Sequence, residues 1–380
     1  MLGAIGLALV CLSIYSLLFL AVDPKRCQMT YMYPGYREVA LDSASSKYRL
    51  YEYYEKNPSY PSSGPDSPTK VAVLFLPGSA GSYGQARSIA SETTRAYWDA
   101  YRKARGGSSL ISMTFYTMHS NEEYSAFHAQ AIVEQARYAN QAIRHILAKT
   151  KTSSQSIVVL AHSMGGIVAR KLIALKEYVP GSISAMYTLA TPHVRAPVAL
   201  NGALYNLYQE LNSKLHGGSE KWKDLVLVSI AGGNEDSLVT SDSTDTSIFL
   251  DPAHGFSVYS TGIPRVWTSA DHKAILWCNQ LVKVIAQSLM YDLFIVPSPE
   301  YIEGNPFESR EVRLARLEKR FQARPRLSLV HGSQVWRNGS LTPVIYVNVE
   351  DKNRCKIFNA RVATRDSVTI YKEVTVFGIC

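Results

Sequence analysis

Residues 157–166 read Ile-Val-Val-Leu-Ala-His-Ser-Met-Gly-Gly. An apolar run that stops at a serine, with small residues two places before it and two places after it, predicts a nucleophile elbow, in which the chain turns sharply from strand to helix and holds the hydroxyl at the apex. Ala161 and Gly165 fill the two small positions. The first of these is more often glycine, so Ala161 adds one methyl group where a neighbouring helix must pass. Residues 167–176 contain no proline or glycine and have helical spacing, which supplies the second half of the turn. Ser163 is therefore the expected nucleophile.

A serine hydroxyl attacks a carbonyl only when a histidine accepts its proton and an acid orients that histidine. In proteins with such an elbow the chain order is serine, acid, histidine. That order sets aside His119, His128 and His145, which precede Ser163, and His162, its neighbour, which is expected to face away. His193, in Ala-Thr-Pro-His, is expected to line the site. His272, in Ala-Asp-His-Lys ahead of the last helical pattern, is expected to be the base, with His254 and His216 as the alternatives. The acid belongs after the preceding strand, where Ile230-Ala231-Gly232-Gly233-Asn234-Glu235-Asp236 offers Asp236, with Glu235, Asp242 and Asp245 as alternatives. Asp271 adjoins His272 and suits a helix cap better. An oxyanion needs one backbone N–H from the residue after the nucleophile, Met164. The second comes from an earlier loop, here Leu76-Pro77-Gly78-Ser79-Ala80-Gly81, through Ser79 or Ala80.

These residues need a scaffold, and the chain has the length for one. It has 380 residues, 46% of them hydrophobic, enough to bury a large core. Apolar strands at residues 71–76, 110–117, 157–162, 185–190 and 225–231, with 258–268 as a further candidate, alternate with helical patterns near 86–105, 126–149 and 273–290. Such alternation predicts a doubly wound, mostly parallel α/β sheet. Lys47–Tyr51 reads as an edge strand or hairpin arm, cut off from the first central strand by the prolines and glycine of residues 58–68. Residues 308–326 carry seven Arg or Lys among a few apolar positions and read as a solvated basic helix, with a helix lying on a membrane surface as the alternative. From residue 327 short strands separated by Gly and Asn predict a small β-rich appendage. The expected divisions are 1–23, 24–298, 299–326 and 327–380.

The net charge of +9 is spread along the chain without a nucleic-acid fold signature, which points to anionic lipid or a phosphate-bearing substrate and away from nucleic acid. Residues 2–22 hold no charge over 21 positions and, with no charged start or clear small-residue cleavage site, predict a retained transmembrane anchor, a signal peptide being the alternative. Lys25 and Arg26 just after it favour a cytoplasmic main domain by the positive-inside tendency. The sequon Asn338-Gly339-Ser340, a candidate glycosylation site, favours a lumen, as do Cys27, Cys278, Cys355 and Cys380, which could pair in three ways. Cys11 lies inside the apolar segment.

Several segments together resemble the inositol deacylases of glycosylphosphatidylinositol (GPI) anchors. They are Leu74 through Ser88, the elbow with Val168-Ala169-Arg170, Ala190-Thr191-Pro192-His193, Ala231-Gly232-Gly233, Asp271-His272 with Trp277-Cys278, and the early Cys27-Gln28-Met29-Thr30-Tyr31-Met32. The resemblance covers roughly residues 24–290. It implies an α/β-hydrolase of the endoplasmic reticulum membrane, with a luminal catalytic domain that removes the acyl chain, usually palmitoyl, from the inositol of anchors on GPI-anchored proteins. Those anchored proteins are its implied partners, and no metal or cofactor is implied. Ser163 would attack, His272 relay the proton and Asp236 orient it, while Gln85 and Arg87 are candidates for contacts with glycan or phosphate. Family members continue into further membrane spans. No second apolar run of that length appears here, which predicts a shortened form or part of a longer product. A membrane-anchored lipase and a non-catalytic binder of GPI-anchored proteins are the rival expectations.

Overall fold

A computed structural model describes residues 26–41, 47–60, 70–103, 110–149, 155–197, 202–213, 220–295 and 306–322, the backbone of strands between 328 and 377, and Gly6, Val10 and Cys11. The remainder of the predicted anchor, Asn338, His216, Cys355 and Cys380 lie outside the described residues. Among the described residues no helix is long and apolar enough to cross a membrane.

Eight strands form one sheet. They are β1 (Pro34–Val39), β2 (Arg49–Glu55), β3 (Lys70–Leu76), β4 (Ser112–His119), β5 (Ile157–His162), β6 (Ile183–Leu189), β7 (Val226–Ala231) and β8 (Gly255–Tyr259), in spatial order β1-β2-β4-β3-β5-β6-β7-β8. From β4 to β8 every pairing is parallel, whereas β1 and β2 run antiparallel at one edge. This is an α/β-hydrolase sheet. The continuous apolar runs of β5, β6 and β7 are buried at every position, as a parallel sheet covered on both faces requires.

The two-residue period of the strands divides the core. Val71, Val73 and Phe75 face a cluster that includes Ile89 of α1 (Arg87–Lys103), Leu281 and Ile285 of α5 (Asn279–Tyr291), and Leu314 and Phe321 of α6 (Arg310–Phe321). Ala72, Leu74 and Leu76 face the other side, with Ile132 of α2 (Ala129–Lys149), Ile167 of α3 (Met164–Ala174) and Leu207 of α4 (Gly202–Ser213). Shifting β3 by one residue would exchange these two sets, so the pattern fixes its register.

Three departures from the sequence expectations have local causes. The strand expected over 258–268 is β8 at Gly255–Tyr259, and it gives way to a 3₁₀ turn at Ser260–Gly262 ahead of Pro264, which has no N–H for the ladder. The helix expected from residue 273 begins as a 3₁₀ turn at Ala274–Leu276 and becomes α5 only at Asn279. The basic helix expected to be solvated is α6, whose Leu314, Leu317 and Phe321 are buried in the core, whereas the arm expected at Lys47–Tyr51 is β2, paired antiparallel with β1 from Pro34↔Glu55 to Val39↔Leu50.

A second compact unit, Gln322–Cys380, contains β9 to β14 in antiparallel pairs: β9 (Ser328–Val330) with β12 (Tyr346–Asn348), β10 (Val335–Arg337) with β11 (Ser340–Thr342), and β13 (Ile357–Arg365) with β14 (Val368–Phe377).

Cys27 and Cys278 form a disulfide across 251 residues. The segment it ties down is also clasped by backbone, with Asn279 N–H donating to Gln28 O at 2.9 Å and Thr30 Oγ1 donating to Trp277 O at 2.8 Å. A cross-link over so long a loop restricts the unfolded chain strongly, so reduction, or Cys27→Ser, is expected to lower unfolding stability by roughly 3–5 kcal/mol in denaturant titrations.

Candidate active site

The elbow forms because three positions permit close packing. Ser163 has φ 52° and ψ −127°, a conformation a non-glycine residue keeps only when its surroundings enforce it. Its N–H donates to Leu189 O at 2.8 Å, which fastens the turn to β6. At Gly165 a Cβ would lie 2.3 Å from Leu76 O, because α3 starts directly against the end of β3. At Gly78 a Cβ would lie 2.8 Å from the Ser163 Cβ, so the loop after β3 passes over the nucleophile with no room for a side chain.

Three ends of the sheet then meet. Ser163 Oγ–H donates to His272 Nε2 at 2.9 Å, and His272 Nδ1–H donates to Asp236 Oδ2 at 3.0 Å, with the tautomer set by this network. The Asp236 side chain is fully buried and that of His272 is 13% exposed, so the imidazole alone bridges solvent and core. The other carboxylate oxygen, Oδ1, accepts from Leu238 N–H at 3.0 Å and Val239 N–H at 2.9 Å, which fixes the plane of the acid. A hydroxyl hydrogen-bonded to an imidazole, with that imidazole held by a buried carboxylate, can act as an alkoxide-like nucleophile toward an ester.

The alternatives are engaged elsewhere. Glu235 is exposed, Asp242 pairs with Arg195 at 3.2 Å, and Asp245 accepts from Ser247 Oγ at 2.6 Å. His254 lies 3.0 Å from the Arg310 guanidinium. Asp271 caps the next turn, taking Lys273 N–H and Ala274 N–H at 2.8 Å each.

For the oxyanion, Met164 is the first residue of α3, where an amide has no acceptor within the helix and the dipole favours negative charge. Of the two loop candidates the structure separates one from the other. Ala80 N–H already donates to Glu123 O at 2.9 Å, so Ala80 is withdrawn as a donor. The Ser79 amide has no acceptor among the described residues, and its hydroxyl accepts from Ala126 N–H at 3.1 Å, which pins the loop.

His193 requires correction. It is completely buried, its Nε2 lies 2.9 Å from Thr188 Oγ1, its ring packs on Phe249, and its carbonyl accepts from the buried Arg170 at 2.9 Å. It organises the core behind the elbow and does not line the site. Arg87 is exposed and bonds its guanidinium to Gly84 O at 2.9 Å. Gln85 turns its buried side-chain oxygen against the oxyanion loop, where it stands 2.6 Å from a Cβ placed on Gly81.

Sequence reasoning missed the part played by His162. Its Nε2–H donates to the backbone carbonyl of His272 at 2.8 Å and the two rings lie 4.8 Å apart, so the residue beside the nucleophile anchors the backbone of the base. Burial, reinforced by the nearby His272, lowers its pKa to about 3. Burial likewise holds His193 well below the ordinary value of 6.5, with Arg170 adding to the effect. Both histidines fold neutral and must be charged on unfolding in acid. The stability they contribute is complete above pH 6.5 and is lost as pH falls, for His162 down to about pH 3. Unfolding free energy is expected to drop between pH 7 and pH 4, on the order of 3 kcal/mol from His162 alone, and His162→Gln is expected to flatten that slope in denaturant titrations at the two pH values.

The chain is similar to known proteins in sequence. Residues 67–291 match the family model described as PGAP1-like alpha/beta domain. Proteins named GPI inositol-deacylase are similar: that of Neurospora crassa is 35% identical over 76% of this chain and 25% of its own length. The one from Debaryomyces hansenii is 37% identical over 70% of this chain and 29% of its own, and that of Schizosaccharomyces pombe 35% identical over 69% and 25%. The chain thus spans between a quarter and a third of the length of these relatives. Among solved structures, an esterase of Pyrobaculum calidifontis is 10% identical over 69% of this chain and 86% of its own, with a TM-score of 0.41. With its elbow, its sheet order and the match over residues 67–291, the chain belongs to the PGAP1-like alpha/beta domain family.

Proposed function

We propose that this protein is a serine hydrolase that removes the acyl chain from the inositol of GPI anchors. The observation that carries the reading is the continuous relay from Ser163 Oγ through His272 to the buried Asp236, at 2.9 and 3.0 Å. The substrate comes from the relatives, whose name states deacylation of GPI inositol. In this reading Ser163 Oγ attacks the ester carbonyl while His272 Nε2 takes its proton. The Met164 and Ser79 amides hold the tetrahedral oxyanion, and the inositol oxygen leaves with the proton from His272. Water, deprotonated by the same imidazole, then releases the fatty acid from Ser163. GPI-anchored proteins are the proposed partners.

The proposed setting is the endoplasmic reticulum membrane with this domain in the lumen. The Cys27–Cys278 disulfide supports that side, because such bonds persist in oxidising compartments and are rare in the cytosol.

The test is fatty-acid release by the purified chain from an acyl-inositol GPI protein and, in parallel, from ordinary glycerolipids. Release confined to the first substrate supports the reading, release from glycerolipids alone makes the protein a lipase, and release from neither leaves a binding role.

His162 provides a second expected outcome. His162→Phe deletes the bond to the His272 carbonyl and is expected to lower kcat about 10- to 100-fold with little change in KM, as loss of base positioning predicts. His162→Gln, which restores a donor, is expected to recover part of the rate.

A further inference from the structure

A concave site of about 400 Å³ lies between α5, α6 and the loop that carries Pro264 and Arg265, and its lining holds four cations, Arg265, Arg316, Lys319 and Arg320, against one carboxylate, Asp292. That carboxylate is taken: Arg320 grips both of its oxygens. Arg316 is matched outside the lining by Glu308 at 2.9 Å. Arg265 and Lys319 form no ion pair among the described residues, so the cavity keeps an excess of positive charge.

The arrangement is built rather than incidental to a basic surface. Arg265 and Arg320 each donate to the same Gln287 Oε1, at 3.2 Å, which brings two guanidinium groups to one amide oxygen and costs repulsion that a bound anion would relieve. Arg265 keeps φ 73°, a left-handed conformation unfavourable to a residue with a side chain. Helix α6 is itself locked in place by the buried Arg313, which donates to the backbone carbonyls of Ser184, Asp224 and Glu308. The cations it presents therefore stand on a fixed element.

We infer that this cavity binds a phosphate ester, with Arg265 and Lys319 as its contacts to the anion and the Gln287-bound guanidinium of Arg320 as its base. Guanidinium forks match phosphate oxygens in pairs, and the volume holds a phosphate together with a polyol-sized body. The site is separate from the hydrolytic centre, and neither reading depends on the other.

The test is calorimetric titration of the whole chain in neutral-detergent micelles. One arm adds soluble glycerophosphoinositol and the other dopes the micelles with phosphatidylinositol, with diacylglycerol, which lacks phosphate, as the control lipid. Wild type and Ser163→Ala are expected to bind alike, and the double variant Arg265→Glu, Lys319→Glu about tenfold or more weakly. The two cavity reversals are also made singly, and Lys176→Glu, the same change of charge as each of them at an exposed position elsewhere, is expected to leave binding unchanged. Binding of the soluble probe assigns a free head group, and binding in the doped micelles alone assigns a membrane lipid. No binding in either arm overturns the inference. So does a double variant that binds like wild type, or a loss in Lys176→Glu as large as that of either single reversal in the cavity.

Discussion

Ser163→Ala is expected to reduce ester turnover by ~10⁶-fold in kcat while leaving folding intact, because it removes the one atom that forms the acyl bond. The side chain is nearly buried, and its hydroxyl makes no structural bond apart from that to His272. The alanine methyl fits the space that Ser163 Cβ already occupies beside Gly78, so thermal unfolding should move little. Substrate affinity should persist, since the oxyanion amides are untouched. A variant that loses turnover together with its cooperative unfolding transition would mean that the elbow had collapsed, and circular dichroism on the same sample separates the two cases.

Asp236→Asn is expected to lower kcat by ~10⁴-fold, because an amide cannot both accept from His272 Nδ1–H and stabilise the imidazolium that forms when Ser163 gives up its proton. The amide nitrogen facing His272 would donate, driving the imidazole into the tautomer whose Nε2 carries hydrogen and cannot accept from Ser163. The turn bonds from Leu238 and Val239 to Oδ1 are retained by the asparagine carbonyl, so the loop should keep its shape. Steady-state rates of Asp236→Asn and Asp242→Asn, measured together, check the assignment: loss is expected in the first and near wild-type activity in the second, whose carboxylate pairs with Arg195 at an exposed position.

What the sequence disclosed, and what it withheld, follows the range of the interactions concerned. The elbow is local: an apolar strand, small residues at 161 and 165 and an uninterrupted helix lie within one short stretch, so the strained turn at Ser163 is written in adjacent residues. His272 and Asp236 could be picked from chain order, since each follows a strand whose apolar run marks it. The choice between Ser79 and Ala80 was not legible, because it turns on whether an amide is consumed by Glu123 O in another loop. His193 departs from its sequence expectation for a similar reason. Its sequence neighbours suggest a site-lining loop, but Thr188, Phe249 and Arg170 draw the ring into the core. The bond from His162 to the His272 carbonyl joins positions 110 apart, and nothing local marks either end. The Cys27–Cys278 pairing was one of three possibilities, fixed only when the fold brings the segment after the apolar run beside the turn that follows His272.

The most direct test of the account is carried out in cells that lack inositol deacylation, where the acyl chain on inositol blocks cleavage of GPI anchors by a phosphatidylinositol-specific phospholipase. Expression of this chain is predicted to make surface GPI proteins releasable by that phospholipase, and Ser163→Ala, expressed to the same level, is predicted to leave them resistant. Release restored equally by the alanine variant would contradict the central claim that the Ser163 hydroxyl splits the inositol ester.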